Sequence, residues 1–113
     1  MPAEPHPPEP LSCEVVPGRD RICLRPEGSL DMATVAVLEE RLGELRAAGH
    51  ANLLLDLRGL QFMDSSGLWL VLRWHATARA NGFTLGVVRG RSAIQRVFEV
   101  TGTHEHVRFV DPD

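Results

Sequence analysis

Apolar positions in this chain of 113 residues gather into short blocks whose spacing alternates between that of strands and that of helices. Residues 11–16 and 21–25 flank Pro17-Gly18-Arg19-Asp20, a run of turn formers, so the first ordered element reads as a β-hairpin. A loop over Pro26–Asp31 leads into a helix over about 32–48. Its Val35, Leu38, Leu42 and Leu45 recur at spacings of three and four, and Gly49 supplies its stop. Leu53-Leu54-Leu55-Asp56-Leu57 is an apolar run suited to a central strand covered on both faces. Arg58-Gly59 and Leu60–Met63 connect it to Asp64-Ser65-Ser66-Gly67. A second helix follows over about 66–80 and ends at Asn81-Gly82. Phe83–Val88 reads as a strand and Arg89-Gly90-Arg91 as a loop. Ser92-Ala93-Ile94-Gln95 has the form of a capping box for a third helix that turns Ile94, Val97 and Phe98 inward and stops at Gly102. His106–Val110 forms a short last strand or an extended tail.

The order ββαβαβα predicts an α/β domain: a mixed sheet with helices packed on it, parallel wherever a helix makes the crossover. Residues 1–10 hold five of the eight prolines and almost no apolar bulk, which reads as a disordered tail before a single domain over 11–113. Loops that follow crossover strands collect at the carboxyl edge of such a sheet, where α/β proteins usually keep their sites. The stretches Gly28–Asp31 and Asp64–Gly67 are therefore expected to be neighbours there.

Composition narrows the chemistry. Fifteen acidic residues against twelve basic ones give a net charge of −3, which argues against a general nucleic-acid binder. All the basic residues are Arg, so neither a Schiff base nor a P-loop lysine is available. No stretch approaches the ~20 apolar residues of a membrane span, and Pro and Glu stand where a signal peptide needs an apolar core. The chain thus reads as soluble and cytoplasmic. Cys13 and Cys23 are too few for a disulfide framework. They could face one another across the hairpin, but in a reducing compartment they read as free thiols.

Asp64-Ser65-Ser66-Gly67 is the most informative stretch. Read plainly, it caps a helix, because Asp and Ser oxygens accept hydrogen bonds from the first free N–H groups. The functional reading uses the same physics: a helix N-terminus favours negative charge, so a phosphate on a serine there is accommodated without unfolding. Phosphorylation would add about −1.5 to −2 charges beside Asp64 and Asp31 and repel a partner fitted to the neutral hydroxyl.

With these motifs in order, the sequence resembles a STAS domain of the anti-sigma factor antagonist type over about residues 13–110. The resemblance rests on Gly28-Ser29-Leu30-Asp31, on Leu55-Asp56-Leu57 leading through Phe62-Met63 into Asp64-Ser65-Ser66-Gly67-Leu68, and on Ser92–Phe98 followed by Thr101-Gly102. It implies a non-enzymatic partner switch with no cofactor and no metal. The unmodified protein would bind an anti-sigma factor that is itself a serine kinase and so free a sigma factor. Phosphorylation would release the complex, and a PP2C-type serine phosphatase would reset it. The family's acceptor is the Ser directly after the Asp, here Ser65, with Ser66 as second choice. Asp31 matches the aspartate tied to kinase contact, and Asp31, Asp64, Ser65, Ser66, Gly67, Leu68 and Trp69 make up the implied partner surface.

Two departures stand out. Trp69 replaces a residue that is commonly small. It lies on the same helical face as Ser65, so it either anchors a partner, fills a core gap or blocks the usual kinase surface. Ser29 replaces a frequent Glu, which would remove a charge from the interface. The remaining candidates are weaker. His104-Glu105-His106 lacks further metal ligands and reads as a solvated pair. His75, between apolar neighbours, reads as a satisfied helix histidine. Arg89 and Arg91 flank Gly90 either to meet a phosphate or simply in solvent. No Gly-x-Ser-x-Gly elbow supports a hydrolase nucleophile. The alternative within the fold is an unphosphorylated STAS scaffold or a signalling or transport-associated module. A dimer is open but not required.

Overall fold

The structure, a computed structural model, describes residues 10–112. Apart from Pro10, the tail read over 1–10 lies outside the described residues. Strands β1 (Ser12–Pro17) and β2 (Ile22–Leu30) form the expected antiparallel hairpin, its turn closed by Gly18 N–H donating to Arg21 O at 2.8 Å. Helix α1 (Val35–Ala47) crosses to β3 (Asn52–Asp56), which lies parallel to β2. A single 3-10 turn, Leu57–Gly59, leads to a further strand, β4 (Leu60–Met63). Helix α2 (Ser65–Asn81) then crosses to β5 (Thr84–Val88), parallel to β3, and α3 (Ser92–Thr101) follows.

The order ββαβαβα stands, with β4 added to it. The chain from Pro26 to Leu30, expected as a loop, is instead the carboxyl half of β2. Its partner is β4: Gly28, Ser29 and Leu30 align in parallel with Leu60, Phe62 and Met63. The amino half of β2 pairs with β3, so one long strand serves two short ones. Gly28 makes the change of register possible. It sits at a bulge with φ +104°, and a Cβ there would lie 2.5 Å from Pro10 O. The main sheet order is β1-β2-β3-β5.

All three helices bury apolar residues in one cluster. Leu38, Leu42 and Leu45 of α1, Leu70 and Val71 of α2, and Ile94 and Phe98 of α3 meet Leu24, Leu53, Leu55 and Val87 of the sheet. The other face of the sheet holds only a small cluster, Cys23, Leu54 and Val88, with Val16 and Val110 packed against it. The central position of β3 is as expected, and its two faces are covered very unequally.

The remaining differences are local. α1 starts at Val35 because Asp31 and Thr34 hold a turn ahead of it. At α3, Ser92 is the first helical residue rather than the cap. The expected capping box does not form; Gln95 Oε1 instead accepts from Gly90 N–H, ahead of the N-cap Arg91, at 2.8 Å. Cys13 lies opposite Pro26 and Cys23 opposite Val16; they pack into different clusters, and no disulfide joins them. Near the C-terminus, Phe109 makes one parallel bridge to Val87, so the segment is an extended tail touching the edge of β5. Among the described residues no helix is long and apolar enough to cross a membrane.

Candidate functional site: the mouth of the second helix

β2 and β4 end side by side. Leu30 aligns with Met63, and Asp64 N–H donates to Leu30 O at 3.2 Å. Asp31 and Asp64 therefore leave the carboxyl edge of the sheet together, as the sequence predicts. Each uses one carboxylate oxygen to hold its own backbone. Asp31 Oδ1 accepts from Ala33 N–H at 3.0 Å and Thr34 N–H at 3.2 Å. Thr34 Oγ1 in turn donates to Ser29 O at 2.7 Å, which locks the turn into α1. Asp64 is the N-cap of α2, its Oδ1 accepting from Ser66 N–H at 2.8 Å and Gly67 N–H at 3.4 Å. Neither Asp31 nor Asp64 forms an ion pair among the described residues.

Ser65 is the first residue of α2. It is exposed, and its hydroxyl makes no hydrogen bond among the described residues. Ser66 is half-buried. The capping role that both serines could have taken belongs to Asp64, which leaves the Ser65 hydroxyl unoccupied. Gly67 sets the height of the site. A Cβ at this position would lie 2.7 Å from Met63 Cγ and 2.8 Å from Leu30 Cδ2, so only glycine lets α2 settle onto the two strand ends. Leu68 is buried in the core. Gly67 and Leu68 thus shape the site from beneath.

Trp69 is 60% exposed, so of its three alternatives it does not fill a core gap. Arg73, one turn further along the same face, bonds Glu39 of α1 at 2.9 Å, and Trp74 Nε1 donates to the same carboxylate at 3.3 Å. The stripe Ser65–Trp69–Arg73 therefore runs along the boundary with α1. Met32, directly after Asp31, is 79% exposed and adds a second large apolar side chain at the site. Sequence reasoning missed it, since one Met inside a polar turn has no periodicity to mark it. Ser29 is buried, so its exchange for the usual Glu acts inside the sheet and removes no charge from the surface.

Asp56 was read as part of an apolar run and is in fact a buried carboxylate. Arg25 Nε reaches Oδ2 at 3.1 Å, Arg58 Nη2 reaches Oδ2 at 2.8 Å, and Arg58 N–H reaches Oδ1 at 3.0 Å. Burial alone would raise its pKa. The hydrogen bonds from Arg58 and Arg25 outweigh burial and hold the carboxyl below its usual range. The signal for this cluster was Arg58, two residues beyond Asp56, where a cap of the 3-10 turn and an ion pair coincide.

The minor candidates are accounted for. His104 lies 4.0 Å from Glu105, and the described residues contain no group of three or more His, Cys, Asp or Glu placed to hold a metal. His75 accepts a hydrogen bond from Arg108 N–H at 3.2 Å. Arg89 stacks over Phe109 at 5.0 Å, and Arg91 precedes α3 as its N-cap. A cleft of about 400 Å³ lies between the β1–β2 turn and the α1–β3 connection, at the amino ends of the strands and away from Ser65.

The fold and the site define a small two-layer α/β domain whose candidate chemistry lies on an open helix mouth. The family model described as the Mlab STAS domain matches residues 17–111. The anti-sigma-B factor antagonist of Staphylococcus epidermidis is 30% identical over 92 residues, covering 81% of this chain and 85% of that protein. Its counterpart in Staphylococcus aureus is 35% identical over 75 residues, covering 66% and 69%. Among solved structures, an anti-sigma factor antagonist from Mycobacterium paratuberculosis superposes with a TM-score of 0.74 at 24% identity, covering 91% of this chain and 86% of that one. Unphosphorylated SpoIIAA, also an anti-sigma factor antagonist, gives 0.66 at 20% identity with 90% of each chain covered. The chain belongs to the STAS domain, anti-sigma factor antagonist family.

Proposed function

We propose that the protein is a cytoplasmic anti-sigma factor antagonist gated by phosphorylation of Ser65. Unmodified, it binds an anti-sigma factor serine kinase and so frees a sigma factor. The kinase transfers the γ-phosphoryl group of ATP to Ser65 Oγ, ADP leaves, and the hydroxyl proton is lost. A PP2C-type serine phosphatase restores the hydroxyl. The chain acts in this cycle as acceptor and ligand, not as catalyst, and Asp31, Asp64 and Trp69 lie on the docking surface.

One observation carries the reading: the Ser65 hydroxyl is exposed and unbonded at the first residue of a helix whose cap is already supplied by Asp64. A phosphate can be added without breaking a hydrogen bond, and the helix N-terminus favours its charge. The neighbours support a fold that tolerates either state. The Bacillus protein SpoIIAA in its phosphorylated form gives a TM-score of 0.66 against this chain, the same as its unphosphorylated form. A scaffold that holds its partner irrespective of phosphate is favoured by the exposed Trp69, whose apolar contact would be indifferent to charge.

Incubation with the kinase and ATP, followed by phosphate mapping by mass spectrometry, tests the proposal. Phosphate on Ser65 is the expected result. Phosphate confined to another loop would remove Ser65 from its role.

A further inference from the structure

The segment that follows α3 is anchored by Val107 in the main core and then by a row of contacts along β5, one of them to an imidazole. Arg108 N–H donates to His75 Nε2 at 3.2 Å. Around it, Val87 N–H donates to Arg108 O and Val110 N–H to Val87 O, each at 2.9 Å. Phe109 packs edge-on against Phe98 at 5.3 Å and lies under the Arg89 guanidinium. Val110 covers Gly86, where a Cβ would lie only 2.9 Å from Val110 Cγ2. Arg21 Nη2 donates to Asp111 O at 3.1 Å. This short segment therefore lies along the edge of β5, with Phe109 turned to the helix side and Val110 to the sheet face that carries no helix.

A backbone N–H can be accepted only by an unprotonated imidazole nitrogen, so the contact fixes His75 as neutral with its proton on Nδ1. We propose that His75 is a pH-sensitive latch for the C-terminal segment. Protonation at Nε2 removes the acceptor of the Arg108 amide and sets one N–H against another, so the segment beyond the buried Val107, over 108–112, loosens while the body of the domain stays folded. The charged groups facing the ring point the same way. Burial first, then the cations Arg79 on α2 and Arg108 on the segment, hold the His75 pKa below its usual 6.5. His104, Glu105 and His106 on the preceding turn are exposed. The folded pKa is lowered, so the latch is fully closed above the unfolded value and is lost as pH falls through the lower, folded one. Release would bare Gly86 and the Cys23, Leu54 and Val88 cluster. The inference does not depend on the role of Ser65.

Amide hydrogen exchange on the full chain, followed by NMR from about pH 7.5 to about pH 5.5, tests the latch. Corrected for intrinsic rates, protection at Arg108 and Val110 should fall about tenfold in step with the His75 ring titration, while Leu54 and Leu55 keep theirs. In His75→Gln the amide oxygen can accept the same N–H without titrating, so protection should become pH-independent. A His104→Gln/His106→Gln variant should keep the pH dependence. Ring nitrogen shifts showing the proton on Nε2 at the higher pH would overturn the proposal. So would unchanged protection while His75 titrates, or a pH dependence lost with His104 and His106.

Discussion

Asp56 ends β3 and Asp64 directly follows β4, the two strands that pair in succession along β2, and each holds the helical turn that follows through one carboxylate oxygen. Asp56 Oδ1 accepts from Arg58 N–H at 3.0 Å, and Asp64 Oδ1 accepts from Ser66 N–H at 2.8 Å. From there they diverge. Asp56 is 1% exposed and sealed by two guanidinium groups. Asp64 is only partly buried, has no ion pair among the described residues, and is followed by an exposed hydroxyl. The same local hydrogen bond is thus part of a closed electrostatic cluster in one place and leaves an open edge in the other. What separates them is the placement of arginines. Among the described residues no cation pairs with Asp31 or Asp64, so a charge added at Ser65 joins an acidic site that has no ion pair of its own.

Breaking the closed member of the pair should have the largest effect on stability. Asp56→Ala leaves two guanidiniums facing a buried void and should lower the unfolding free energy by about 3 kcal/mol, the low end for a broken buried pair because both arginines reach water. Urea unfolding measures it. Asp56 also sets an acid dependence. Its folded pKa lies below the ordinary carboxylate value, so its stabilisation is complete above that value and is lost as pH falls through the depressed one. Asp56→Asn should lose this component from the acid-unfolding curve.

The open member should be less sensitive. Gly67→Ala drives a methyl into Met63 and Leu30 and should cost about 2 kcal/mol by the same unfolding measurement. Asp64→Ala removes the cap of α2 for about 1 kcal/mol, and Asp64→Asn, which can still accept the N–H bonds, should recover most of that. Ser65→Ala, which touches no bonded atom, should stay within about 0.5 kcal/mol of the parent. Equal losses at Asp56 and Asp64 would erase the contrast between the two sites.

Much of this contrast was readable from the residues. The helices declared themselves through apolar spacing and glycine stops, and Asp64 through its place before a helix. Side-by-side strand ends followed from the crossover order. β4 was not readable, because four residues are too few to show alternation, and the bulge at Gly28 hid the far half of β2 behind Pro26 and a glycine. Asp56 was hidden for a different reason. Inside a leucine run, one carboxylate does not reveal whether it points to water or to arginines, and one of those arginines comes from a strand thirty-one positions earlier. Exposure was the other gap: the sequence left Trp69 undecided and passed over Met32, and only the folded chain shows that both face outward.

The most direct measurement is calorimetric titration of the anti-sigma factor kinase with the unmodified protein and with the protein phosphorylated at Ser65. The account predicts that the phosphate weakens binding about a hundredfold, roughly 2.7 kcal/mol, and that Ser65→Asp moves in the same direction. Equal affinity for the two forms, with the phosphate confirmed on Ser65, would contradict it.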